Sequence, residues 1–343
     1  MKFHSKRATV LAALTLSGAL LLSACGDDGG SSGDSGGGGD ETTVTFLPKN
    51  LGNPYFDVTA RGGEAAVKDF GGKFDQVGPQ EATPDGQVQY INTAAQQGIN
   101  ALVVSANDPT AICDALDQAR DAGTKIVTFD SDTDPECRDV YISQATSEGI
   151  AKAQVDMMAE QIGDAGEVAI LSATANATNQ NAWIKMMEEE FAASHPNIKL
   201  VDTVYGNDDD QTSFDKTAAL LQKHPNLKGI ISPTTVGIAA AARYLSDSPA
   251  KGKVKLTGLG FPNELREYVK NGTIDAFALW DVEALGYLAA YTAKALVDGD
   301  IKGEEGDSFK AGKLGEFEVG ADKTVLLGDP TVFNAKNIDE YDF

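Results

Sequence analysis

The sequence predicts an α/β protein made of two doubly wound parallel-sheet halves. Three observations carry this. Short apolar runs alternate with helical patterns from Thr43 onward, and strand–helix–strand repetition gives parallel sheets covered by helices on both faces. Roughly ten such runs fall in about 250 residues, more than one mononucleotide-type sheet holds. The chain has 343 residues, 42% of them hydrophobic, which suffices for two cores of ordinary size.

In order, the strands expected in the first half are Val44–Leu47, Phe74–Val77, Ala101–Ser105, Lys125–Phe129 and Val140–Ile142. The second half offers Glu167–Ser172, Lys199–Val204, Gly229–Ile231, Lys255–Gly258 and Ala276–Trp280. Helices are expected near 57–70, 85–97, 109–122, 147–162, 180–194, 211–223, 235–246, 262–270 and 283–298. Pro84, Pro109 and Pro262 fall at helix starts, where a missing N–H costs little, and Gly98 and Gly123 fall at helix ends. The halves divide near 43–144 and 146–280.

The N-terminus is of another kind. Residues 1–24 read as a signal peptide, with Lys2, Lys6 and Arg7 ahead of an apolar stretch, Val10 to Leu22, too short to span a membrane. The cut region, Leu22-Ser23-Ala24-Cys25, resembles the lipobox of bacterial lipoproteins, in which the cysteine is lipidated; an ordinary signal peptide with a chance cysteine is the other reading. Residues 25–42 would then be the lipidated Cys25 and a flexible linker, since GDDGGSSGDSGGGGDE can bury no apolar surface. The folded part is expected outside the cytoplasm, in the periplasm or on the outer face of the cell membrane.

A formal net charge of −23 argues against a nucleic-acid partner, because phosphate binding needs Lys and Arg. Only three histidines are present, His4, His195 and His224, so a histidine-based metal or catalytic site is not expected. Cys113 and Cys137 are the cysteines left in the folded part. They suit either a disulfide in an oxidising compartment or two buried thiols.

In doubly wound sheets, ligands sit beyond the carboxyl ends of the strands. The residues there include Lys49, Asn53, Tyr55 and Phe56 after the first strand, and Asn107 and Asp108 after the third. Asp130 follows the fourth strand, and Asn179, Gln180 and Trp183 lie past the sixth. Pro233, Thr234 and Thr235 follow the eighth, and Trp280 and Asp281 end the last. Amides and carboxylates exchange hydrogen bonds with hydroxyls, and aromatic rings cover the C–H faces of a sugar. No GxxxxGK[ST] and no GxGxxG between strand and helix suggests a nucleotide. Each residue also has a plainer use. Lys49 could be solvated, Tyr55, Phe56, Trp183 and Trp280 could pack the core, and Asp108 and Asp130 could cap helices. Asn207–Asp210 reads as a turn and a helix cap; a calcium loop would need a glycine at its sixth position.

The motifs KNLGNPYF, SANDP, TFDSDTDPECR, YISQ, NQNAW, ISPTT, ALWD and FNAKNIDEYDF together resemble the solute-binding proteins of sugar ABC transporters. The group is the ribose-receptor-like one, with rhamnose and autoinducer-2 receptors nearest. The resemblance implies a type I periplasmic binding protein fold, two lobes joined by three crossovers and closing by a hinge. It implies an N-terminal lobe of 43–145 plus about 282–325, and a C-terminal lobe of 146–281 plus about 326–343. It implies ligand contacts from Asn53, Tyr55, Phe56, Asp108, Asp130, Gln180 and Asp281. Lys49, Asp130, Gln180 and Pro233 agree with the autoinducer-2 branch; Asn179 stands where that branch has Asp, and Thr235 where it has Ala. The loop KNLGNPYF is closer to the rhamnose branch. Autoinducer-2 receptors also carry cysteines where Cys113 and Cys137 stand. The function implied is capture of a monosaccharide, L-rhamnose first, for a permease, by a monomer with no cofactor, metal or enzymatic chemistry. A glycoside-acting enzyme is the remaining alternative.

Overall fold

The computed structural model describes residues 41–343; the expected signal peptide, Cys25 and nearly all of the expected linker lie outside the described residues. Residues 41–343 form one compact unit containing two principal sheets.

The first sheet has the order β13-β5-β4-β3-β1-β2, all pairs parallel. Its strands are β1 (Thr43–Leu47), β2 (Lys73–Gln76), β3 (Ala101–Val104), β4 (Lys125–Phe129), β5 (Val140–Ser143) and β13 (Thr324–Leu326). Strands β1, β3 and β4 are buried almost throughout, as a strand covered on both faces must be. The second sheet, β7-β6-β8-β9, is also parallel. It comprises β6 (Gly166–Ser172), β7 (Ile198–Tyr205), β8 (Leu227–Ser232) and β9 (Lys255–Gly258). Beside it, β10 (Ala276–Leu279) pairs antiparallel with β14 (Thr331–Asn334). A short hairpin, β11 (Ser308–Lys310) and β12 (Glu316–Glu318), stands apart from these sheets.

Among the described residues the α-helices are α1 (Pro54–Asp69), α2 (Pro84–Gln97), α3 (Cys113–Asp121), α4 (Ser147–Ile162), α5 (Thr178–Ser194), α6 (Asp210–Lys223), α7 (Thr235–Ser246), α8 (Pro262–Lys270) and α9 (Val282–Asp298). Pro54, Pro84 and Pro262 each open a helix, and Gly98 closes α2 in the left-handed conformation that glycine adopts freely. Helix α3 starts at Cys113 rather than near Pro109, because Asp108 holds the chain in a turn, accepting from the Thr110 and Ala111 N–H groups. Helices α1 and α9 cross at close quarters. A Cβ on Gly62 would meet the Glu283 carbonyl, and one on Gly286 would meet that of Thr59.

The chain passes three times between the half holding the first sheet and the half holding the second sheet and the β10–β14 pair: from β5 to α4, from β10 to α9, and from β13 to β14. β13 runs through Leu326, so the last crossing begins at Leu327. Arg138 fastens β13 to its sheet from a buried position, donating to both carboxylate oxygens of Asp132 at 2.7 Å and to the carbonyls of Asp322 and Lys323. The sulfurs of Cys113 and Cys137 are bonded, with their Cα atoms 5.2 Å apart. This joins the start of α3 to the turn after β4.

Candidate functional site

The carboxyl ends of both sheets converge on a small cavity of about 40 Å3. First-sheet loops contribute Lys49, Asn53, Tyr55, Phe56 and Asp130; the second half contributes Asn179, Gln180, Trp183, Asp208, Pro233, Thr234, Thr235 and Trp280. A volume of this size holds only a few waters. Outside it lies a groove of about 1220 Å3 between the same loops, and Asn53, Asp208 and Thr235 line both spaces.

Asp130 is the centre of the cavity's polar network. It lies directly after β4 with φ +60°, a left-handed conformation that Asp tolerates better than most residues. That turn presents both its carboxylate and its carbonyl to neighbours. The carbonyl accepts from the Tyr141 hydroxyl at 3.1 Å and from the Gln144 and Asn179 amides at 3.3 Å each. The carboxylate accepts from Ser105 Oγ at 2.8 Å and from Asn179 Nδ2 at 3.2 Å. Lys49 Nζ stands 3.7 Å away, and both members of this ion pair are buried.

Lys49 also donates to Asn179 Oδ1 at 3.2 Å. Asn179 therefore binds both partners at once, accepting from the lysine and donating to the aspartate. Gln180 is fixed by its own lobe, its Oε1 accepting from Ser172 Oγ at 2.6 Å and from the Ala173 N–H at 2.8 Å. Its amide nitrogen has no protein partner among the described residues. Asn53 caps α1 by accepting from the Tyr55 N–H, and this aims Tyr55 and Phe56 inward.

Aromatic side chains form one wall. Tyr55 and Trp280 meet edge-on with centroids 6.2 Å apart, and Trp183 and Trp280 at 6.1 Å. Trp280 Nε1 donates to the Tyr55 hydroxyl at 3.0 Å. Burial, then the charge of Asp130, pushes the Tyr55 hydroxyl well above its ordinary pKa.

Two of the expected residues do not line the cavity. Asp108 turns its carboxylate to the backbone of the loop before α3. Backbone hydrogen bonds hold its pKa low against the opposing effect of burial. Asp281 is exposed and caps α9, accepting from the Ala284 N–H. In both, a local N–H donor competes successfully for the carboxylate. Conversely, Asp208 lines the cavity although its run reads as a helix cap; Asp209, its neighbour, is the residue that caps α6. The remaining expected ligands, Lys49, Asn53, Tyr55, Phe56, Asp130, Asn179, Gln180, Pro233 and Thr235, are brought together.

A family model described as a periplasmic binding protein domain matches residues 44–301, and the chain belongs to that family, among the solute-binding proteins of sugar ABC transporters. A sugar ABC transporter protein of known structure from Actinomyces odontolyticus is 56% identical, over 88% of this chain and 98% of that one, with TM-score 0.71. An ABC transporter solute binding protein from Clostridium phytofermentas, solved with bound L-rhamnose, is 37% identical over the same shares, with TM-score 0.85. LsrB from Clostridium saccharobutylicum, in complex with AI-2, is 29% identical over 88% of this chain and 100% of that one, with TM-score 0.84. The chain thus stands among binding proteins, not enzymes. No helix among the described residues is long and apolar enough to cross a membrane.

Proposed function

We propose that the protein captures a neutral monosaccharide outside the cytoplasm and delivers it to an ABC permease, with L-rhamnose or a close 6-deoxyhexose as the ligand and Cys25 as a lipid anchor. The observation that carries this is the make-up of the cavity. It sets hydrogen-bonding groups from both lobes (Lys49, Asp130, Asn179, Gln180) beside an aromatic wall of Tyr55, Phe56, Trp183 and Trp280. Polar groups of this kind take ring hydroxyls, and the wall takes C–H faces or a methyl group. The 37% identity to the rhamnose-bound protein supports the choice of sugar.

A second reading is reception of autoinducer-2, favoured by the likeness to the AI-2 complex and by Lys49, Gln180 and Pro233. Asn179 speaks against it. So does Thr235: the two stand where that branch has Asp and Ala. Calorimetric titration of the purified protein with L-rhamnose and with autoinducer-2 decides between the two. Tight binding of autoinducer-2 alone would overturn the ranking.

A further inference from the structure

We propose that Asp208 is a specificity-determining residue of the cleft, accepting a hydrogen bond from one ligand hydroxyl and turning away anionic sugars. This rests on the sugar-binding reading and assigns a new member to its site. Asn207 and Asp208 are consecutive residues in the left-handed region, with φ +57° and +51°. The turn they make is pinned to the adjoining strand, with the Gly206 N–H donating to the Ser172 carbonyl and the Asn207 N–H to the Ala173 carbonyl, both at 2.8 Å. This conformation brings Asp208 to the cavity and leaves the capping of α6 to Asp209.

The side chain is then oriented by one partner. Asp208 Oδ1 accepts from Thr234 Oγ1 at 2.5 Å. Its second oxygen has no protein partner among the described residues. A carboxyl group fixed through one oxygen and open through the other is an acceptor placed for a hydroxyl. The charges make the second half of the argument. Among the residues lining the small cavity, Lys49 is the one cation and Asp130 and Asp208 are the two acids. Lys49 is already engaged by Asp130 and Asn179, so an incoming carboxylate or phosphate would meet an excess of negative charge. The ligand class is a neutral polyhydroxyl compound with a donor facing the second lobe; sugar acids and sugar phosphates are excluded.

The test is a calorimetric comparison of the purified protein with its Asp208→Asn variant. That substitution keeps the shape and an acceptor for Thr234. The titrants are L-rhamnose, its monodeoxy analogues and a hexuronic acid. The variant should bind rhamnose roughly ten- to a hundredfold more weakly. One deoxy analogue should bind the native protein weakly by a similar factor and bind the two proteins alike. The uronic acid should bind the native protein worst and gain in relative affinity in the variant. Unchanged rhamnose affinity in the variant would overturn the inference and leave the sugar reading intact. So would the same affinity ratio between the two proteins for every analogue. A native protein that binds no neutral sugar would overturn both.

Discussion

Lys49 Nζ and Asn179 Oδ1 lie 3.2 Å apart, although one follows the first strand of the first sheet and the other opens a helix beside the second. With the amide of Asn179 bonded to Asp130 at 3.2 Å, this is a polar clasp across the cleft, assembled from the groups proposed to bind sugar. The contact between the two halves and the proposed ligand recognition therefore draw on the same three side chains. Replacing Lys49 by Met keeps the length and removes the charge. The variant should fold and bind the ligand more weakly by about 1.5–3 kcal/mol, read by calorimetry. An affinity equal to the native one would place Lys49 outside the recognition step.

Asp130 separates two effects in one position. Asp130→Ala should weaken sugar binding by at least roughly 2 kcal/mol, because Ser105, Asn179 and Lys49 lose their shared acceptor. It should also lower stability by about 1 kcal/mol or more, since alanine is strained at φ +60°. Asp130→Asn tolerates that backbone, so it should recover most of the stability and little of the binding. Urea unfolding alongside titration distinguishes them; equal stability of the two variants would refute the backbone argument.

The Tyr55 hydroxyl is the acceptor for a buried tryptophan N–H. Tyr55→Phe strands that donor and should destabilise the protein by about 1–3 kcal/mol, measured by chemical denaturation. A neutral result would mean that Trp280 finds another acceptor.

Asp208 carries a pH signature. Burial raises its carboxyl above the ordinary range, against the hydrogen bond from Thr234 and the charge of Lys49. A group raised by folding favours its protonated form in the folded state. Its contribution is full below the ordinary carboxyl value and is lost as pH rises through the raised one. Asp208→Asn should therefore match the native protein in acid and exceed it in stability at neutral pH, in the unliganded state. Denaturant midpoints at the two pH values read this directly; a variant less stable at neutrality would contradict it. With the weaker binding expected of the same variant, Asp208 becomes a residue kept for function at a cost in stability.

Much of the fold was legible because its periodicities are local. Ten strands and nine helices follow from apolar runs, opening prolines and closing glycines, with boundaries moved by a few residues. Strands β11–β14 carry no such signal. They are three or four residues long, and β13 and β14 exist only through pairing with β5 and β10, far away in the chain. The site was legible to the extent that strand ends predict it, which places Lys49, Asp130 and Gln180. Strand-end position says nothing of where a carboxylate turns. At Asp108 and Asp281 nearby backbone N–H groups take the carboxylate; at Asp130 the left-handed turn withholds such donors. Asp208 had a usable signal, its place just past the strand Lys199–Val204. It was hidden by two further aspartates, one of which is indeed the cap.

The most direct test is a ligand panel on the purified protein, with L-rhamnose, L-fucose, D-ribose, D-galactose and autoinducer-2, read first as thermal shift and then by calorimetry. A ligand at 100 times its dissociation constant adds about 2.7 kcal/mol of stability, enough to move a melting curve. The account predicts a shift with L-rhamnose and none with autoinducer-2, abolished or much reduced in Asp130→Ala. A shift with autoinducer-2 alone, or no shift with any of the sugars, would contradict it.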